Sequence, residues 1–278
     1  MSDEMTPDQR RYILQFRHPE KMLTRLPGVS LDLVARMEDL APERYRAVRR
    51  EFRDNARSAA LDLLQQDGVA ESVAALPFRP GDTVVGFGDS ITDDLQSWFE
   101  ILRCLTEEGG AEDVQFRNLG YSGDTTTHCI CRFAEVVAAE PDWIITMVGT
   151  NDVRLHGRQP TKVLVSPQET ERNLEMLANY GRTETDARWV WIAPPAVLEE
   201  RIRNHWWLGE LGLHWRCADL EKVNELVCER QEPVVDAAQV LGSPPAGEDL
   251  LPDGLHPSLA GQKKIALAVV RHLTEGPG

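Results

Sequence analysis

"DTVVGFGDSITDD", residues 82–94, joins a short β-branched run to glycines, a serine and three acidic residues. Thr83, Val84 and Val85 favour a strand. A chain leaving a buried strand must turn, and glycine permits that turn. Beyond it Leu95, Trp98, Phe99, Leu102 and Leu105 recur at helical spacing. The stretch therefore reads as strand, tight turn and helix. A turn accounts for the glycines, and a helix cap would account for Asp93. Neither says whether Ser90 is a turn residue or a nucleophile.

Outward toward the carboxyl end, the same texture repeats. "VQFRNLG" (114–120), "WIITMVG" (143–149), "RWVWIAPP" (188–195) and "EPVVDAA" (232–238) are strand-like. Helical patterns alternate with them: "CRFAEVVAAE" (131–140), a stretch near 166–180, a long stretch of about 200–230, and "SLAGQKKIALAVVRHL" (258–273). Five apolar runs separated by helices predict an α/β fold with a parallel sheet covered on both faces. In such sheets ligands bind at the carboxyl ends of the strands.

Toward the amino end, "LPFRPGD" (76–82) is a Pro/Gly boundary, and residues 1–75 show helical patterns without a strand signal. Ser30 is the expected N-cap of a helix carrying Leu31, Val34 and Met37. Pro42 suits the first turn of a longer helix reaching "QQDG" at 65–68, with Tyr45, Val48, Phe52, Ala59 and Leu63 on one face. Arg46, Arg49 or Arg50, Arg53 and Arg57 form a basic row beside them, read as a solvated face. The organisation expected is a helical extension over 1–78, serving as cover or as a homodimerisation element, and a catalytic unit over 79–278.

The net charge of −15 is concentrated in the second part, with −1 over residues 1–78 and −14 over the rest. That field disfavours nucleic acid and anionic membrane surfaces as partners. No apolar run reaches the length of a membrane span. The polar start "MSDEMTPDQRRY" and five scattered cysteines lead to the expectation of a reduced, cytoplasmic protein.

Polar residues gather where the strands should end. Gly88-Asp89-Ser90 follows the first strand, "NLGYSGDTT" (118–126) the second, and "GTND" (149–152) the third. "LPDGLHPS" (251–258) precedes the last helix. A serine hydroxyl needs a base within hydrogen-bond reach, and an imidazole serves if a carboxylate holds its other nitrogen. Asp253 and His256, three residues apart, can supply both from one loop, and one helical turn would put them on the same side. An attacked carbonyl also needs preorganised donors. The N–H of Ser90, the N–H of Gly120 and the amide of Asn151 are the candidates.

At these residues the chain resembles the SGNH (GDSL-like) hydrolases over roughly 82–273. The blocks stand as "GDSIT", "NLGYSGDTT", "GTND" and "DGLH". The resemblance implies a flavodoxin-like three-layer α/β/α fold. It implies Ser90 as nucleophile, His256 as base and Asp253 as its orienter, with Ser90, Gly120 and Asn151 as the oxyanion donors. It further implies hydrolysis of esters or amides through an acyl-enzyme, with no metal or organic cofactor. The expected activity is a serine esterase on a small or medium carboxylic ester. An acyltransferase with the same triad is the alternative, and a binding protein that has lost the chemistry is a third reading.

Other signals take structural readings. His128, Cys129 and Cys131 lack a fourth zinc ligand and read as a helix start with buried thiols. His156 reads as an exposed loop residue. His205, Trp206, Trp207, His214 and Trp215 read as packing, or else as the wall of an acyl or leaving-group pocket. Asp89 and Asp152 read as hydrogen-bonders that fix turns.

Overall fold

The computed structural model describes residues 5–23, 26–111, 113–158 and 161–275. Five parallel strands form the central sheet: β1 Thr83–Gly88, β2 Gln115–Gly120, β3 Trp143–Met147, β4 Arg188–Ala193 and β5 Val234–Asp236. Their order is β2-β1-β3-β4-β5, so the chain reverses its direction of winding at β1, between β2 and β3. A crevice at the carboxyl ends of β1, β2 and β3 follows from that reversal.

Strand alternation divides the core. Val84, Ile145, Met147, Val190 and Ile192 face one layer, with helices Trp98–Glu108 and Leu259–Glu275 against them. Val85, Phe87, Ile144, Trp189 and Trp191 face the other, covered by helix Pro167–Glu184 and by Val227 of helix Cys217–Cys228. Two glycines in β1 are there for close approach. A Cβ on Gly86 would lie 2.6 Å from the Phe99 ring, and one on Gly88 would lie 1.9 Å from the Met147 carbonyl oxygen.

The amino-terminal segment is helical: α1 Pro7–Phe16, α2 Leu31–Met37 and α3 Pro42–Leu64. Thr6 and Gln9 form a capping box on α1, and Ser30 caps α2 by accepting from the Leu33 N–H. Ala56, Ala59, Ala60 and Leu63 of α3 enter the same core as β1. Its first half, with Tyr45, Val48 and Phe52, buries Leu14 of α1 and Val34 of α2 in a smaller core. The basic row is partly engaged: Arg46 pairs with Asp32, Arg49 with Glu20, and Arg57 with Glu108.

Two helical expectations need correction. The pattern over 131–140 is broken at Arg132, whose φ of −112° ends helix Thr126–Cys131 before Phe133–Val137 begins. The Arg132 guanidinium is drawn inward instead, donating to the carbonyls of Gly88 and Leu119 at the strand ends. The stretch 200–230 is two helices, Glu199–Asn204 and Cys217–Cys228, separated by a turn and a short strand. That strand, Leu213–His214, pairs antiparallel with Leu155–His156. Gly212, at φ +64°, makes the turn between. Cys129 is buried but Cys131 is exposed, contrary to the buried pair expected, and His128 closes a capping box with Thr125.

Candidate active site

Ser90 begins a single helical turn, Ser90–Asp93, directly after β1. Asp89 caps that turn by accepting from the Ile91 N–H at 3.0 Å. The hydroxyl is thereby held at the sheet's carboxyl rim. Asp253 lies in a turn, and the expected helical geometry around it is replaced by an Asx-type arrangement. Its Oδ1 accepts from the Leu255 and His256 N–H groups at 2.8 and 2.9 Å. The backbone is thus wrapped around the carboxylate, which brings the imidazole back onto it. His256 Nδ1 lies 2.6 Å from Asp253 Oδ2, and His256 Nε2 lies 2.9 Å from Ser90 Oγ. The hydroxyl, imidazole and carboxylate read from the sequence form one hydrogen-bonded chain.

Burial sharpens the electrostatics. Asp253 is fully buried, which alone would raise its pKa, yet the charge of His256 and its hydrogen bonds hold it below the ordinary value. Burial would likewise lower the pKa of His256, but Asp253 outweighs it and the imidazole stays above 6.5. Asp89 and Asp94, both fully buried after β1, are pushed up to about 7 and about 6 by desolvation.

The donors differ from the expected set at one position. Gly120 gives its N–H to Asn118 Oδ1 at 3.0 Å, so it is not a donor to the cavity. A Cβ there would lie 2.5 Å from the Asp93 nitrogen, so glycine is required by packing of β2 against the Ser90 turn. Gly123 lines the cavity instead, at φ +90°, and among the described residues no acceptor meets its N–H. The residue was visible in "YSGDTT"; choosing between the two glycines required knowing which N–H was already used. Asn151 gives one amide hydrogen to the Asp124 carbonyl at 3.1 Å, and its Oδ1 accepts from Arg154 at 3.2 Å. Among the described residues its second amide hydrogen meets no acceptor.

Asp93 and Asp94 settle the question of the acidic cluster. Asp93 accepts from the Ser122 N–H and hydroxyl and is bonded by His18 and Lys21. Despite its burial, its contacts with His18 and Lys21 pull its pKa down to about 2. Asp94 accepts from the Gln15 amide at 2.8 Å. Both acids are sockets for the amino-terminal segment. Residues 12–21 carry no motif, so nothing in the sequence marked them.

The cavity beside Ser90 measures about 270 Å³. Asn151, Gly123 and His256 line its polar side, and Leu208, Trp215 and Leu255 lie on its apolar side, so part of the aromatic segment does wall the pocket. Tyr12, Ile13, Phe16 and Arg17 of the amino-terminal segment complete its lining.

The model of the GDSL-like Lipase/Acylhydrolase family matches residues 87–264, more than half of the sequence. The chain belongs to that family. Membership in the GDSL-like lipases and acylhydrolases makes it a hydrolase of the serine-esterase kind. Among solved structures it resembles LAE5, an alpha/beta hydrolase enzyme from the metagenome of Lake Arreo, Spain, at 24% identity and a TM-score of 0.55, over 71% of this chain and 97% of that one. It also resembles the W215I form of Axe2, an acetyl xylan esterase from Geobacillus stearothermophilus, at 23% identity and a TM-score of 0.52, over 70% of this chain and 96% of that one. These likenesses concern the fold. No curated protein sequence matches the chain. The GDSL-like match begins after α1–α3, so the segment that completes the cavity's lining lies outside it. Among the described residues no helix is long and apolar enough to cross a membrane.

Proposed function

We propose that this protein is a serine esterase that hydrolyses an ester of a short or medium carboxylic acid through an acyl-enzyme on Ser90. The observation that supports it is the unbroken chain Ser90 Oγ, His256 Nε2, His256 Nδ1, Asp253 Oδ2 at the edge of a cavity. His256 Nε2 takes the hydroxyl proton as Oγ attacks the ester carbon. The resulting oxyanion is held by the N–H groups of Ser90 and Gly123 and by Asn151 Nδ2. Collapse breaks the bond to the leaving alkoxide, which receives the proton from His256. Water then attacks the acyl-enzyme, again giving its proton to His256, and the free acid departs as Ser90 regains its hydrogen.

A fluorophosphonate probe should label the wild type and fail to label Ser90→Ala; labelling of both at equal rates removes Ser90 as nucleophile. With alcohols and amines present, product analysis should return the free acid, whereas a dominant acyl adduct would assign the transferase reading. Asn151→Ala should lower kcat by roughly 10²-fold with little change in KM, because the donor acts on the oxyanion. A change confined to KM would place Asn151 in ground-state binding instead.

Arg154 sets the expected preference among esters. Among the described residues its Nε and Nη1 meet only His156 Nε2 and Asn151 Oδ1, and no carboxylate lies within ion-pair distance. Burial presses its pKa downward against an opposing pull from Asp89, and among the described residues the guanidinium charge has no direct ion-pair partner. An anionic group on the substrate would compensate it. Arg154→Met should therefore lower kcat/KM for p-nitrophenyl hemiglutarate roughly tenfold more than for p-nitrophenyl butyrate. Equal losses on the two esters would reduce Arg154 to a support for Asn151.

A further inference from the structure

We propose that α1, which lies outside the family-matched region, is a working part of the active site, with Tyr12 positioning the acid–base pair and Phe16 holding the imidazole plane. The proposal rests on the triad reading above. The Tyr12 hydroxyl donates to Asp253 Oδ2 at 2.8 Å, the same oxygen that meets His256 Nδ1. The Phe16 ring lies stacked on His256, with centroids 4.1 Å apart and planes 25° from parallel. Tyr12 and Phe16 are one helical turn apart and contact each other at 5.4 Å, so a single face of α1 grips both members of the pair.

The placement of α1 is built, not incidental. Gln15 is bonded to buried Asp94, His18 and Lys21 to buried Asp93, and Lys21 also to the Gly120 carbonyl. These anchors follow Ser90 directly in sequence, so the helix is registered against the nucleophile's own turn. On its far side Tyr12 packs against His205 and Trp206, with ring centroids at 5.0 and 5.9 Å.

The chemical consequence is specific. Asp253 is buried with its charge shared among the N–H groups of Leu255 and His256, the imidazole and the phenol. The phenol draws off part of the negative charge on Oδ2 and fixes where that oxygen sits. Tyr12 keeps its proton throughout; burial first, then Asp253, raises its pKa. Removing the hydroxyl leaves a more concentrated charge facing His256, which favours imidazolium and raises the pH at which the ring becomes neutral. The other charged or titratable groups facing that ring are Asp89 and Asp94 after β1 and His205 in the loop after Glu199–Asn204. None of them changes in the test.

Tyr12→Phe keeps the ring and its packing and deletes only the hydroxyl. In the full chain, labelled with ¹⁵N, the His256 ring midpoint followed by NMR should move upward by on the order of half a pH unit. Its resonance would be assigned by loss in His256→Gln. The kcat for a p-nitrophenyl ester should fall roughly tenfold with KM within twofold. Phe16→Leu should also lower kcat while the thermal midpoint of unfolding stays near that of wild type. An unmoved imidazole midpoint in Tyr12→Phe overturns the proposal, as does a fall in kcat that merely tracks a fall in thermal stability. A moved midpoint in a chain whose esterase activity does not depend on Ser90 would leave Tyr12 placed and remove the triad reading.

Discussion

Ser90→Ala is expected to lower kcat/KM for a p-nitrophenyl ester by roughly 10³-fold or more. Among the described residues the hydroxyl is the only group within bonding distance of His256 Nε2, at 2.9 Å, so its loss leaves the base without a proton to take. The cavity and the donors Gly123 and Asn151 remain, so residual catalysis by oxyanion stabilisation is expected rather than none. Binding should be little affected, because Ser90 contributes a small part of the cavity wall. The measurement is kcat and KM with one ester, alongside thermal unfolding of the variant. A rate within tenfold of wild type would remove Ser90 from the chemistry.

Asp253→Asn is expected to lower kcat by roughly 10³- to 10⁴-fold. The carboxylate is acceptor only, and its two oxygens face four donors: the Leu255 and His256 N–H groups, His256 Nδ1 and the Tyr12 hydroxyl. An amide places an NH₂ against at least one of these. Turned toward Oδ1, it meets two backbone N–H groups; turned toward Oδ2, it forces His256 to present an unprotonated Nδ1 and a protonated Nε2. The second arrangement is the wrong tautomer for accepting the Ser90 proton. Thermal stability should fall as well, since the site is fully buried and a donor facing donors goes unsatisfied.

The pH profile follows from the same pair. His256 must be neutral to act as base, and Asp253 raises its pKa above 6.5. The acid limb of kcat/KM should therefore lie above pH 6.5, and activity should be lost as pH falls through that limb. Without the negative charge at 253, the residual activity of Asp253→Asn should show that limb at lower pH. A limb that stays in place would assign it to another group.

Much of this was legible along the chain. All five strands stood out because each is an apolar run between turn signals, and a parallel sheet buries both faces of its strands. Ser90, Asn151, Asp253 and His256 were legible because each lies at a strand end or next to the last helix, with neighbours that mark a turn. The helices over 131–140 and 200–230 misled because periodicity records which residues can be buried, not where a backbone breaks. Arg132 breaks the first by turning inward to carbonyls contributed by β1 and β2.

The order of elements, the identity of the proposed reacting groups and the loop that holds Asp253 and His256 together are local properties, carried by spacing and residue type within a few positions. Which glycine is left with a free N–H, and which helix lines the site, depend on partners far apart in the chain. Asn118, held by the Thr92 carbonyl and Glu100, accepts the Gly120 N–H on its Oδ1, and Tyr12 reaches Asp253 across 241 positions. An N–H already bonded within the fold is lost to a ligand, and only the packed molecule determines which are taken.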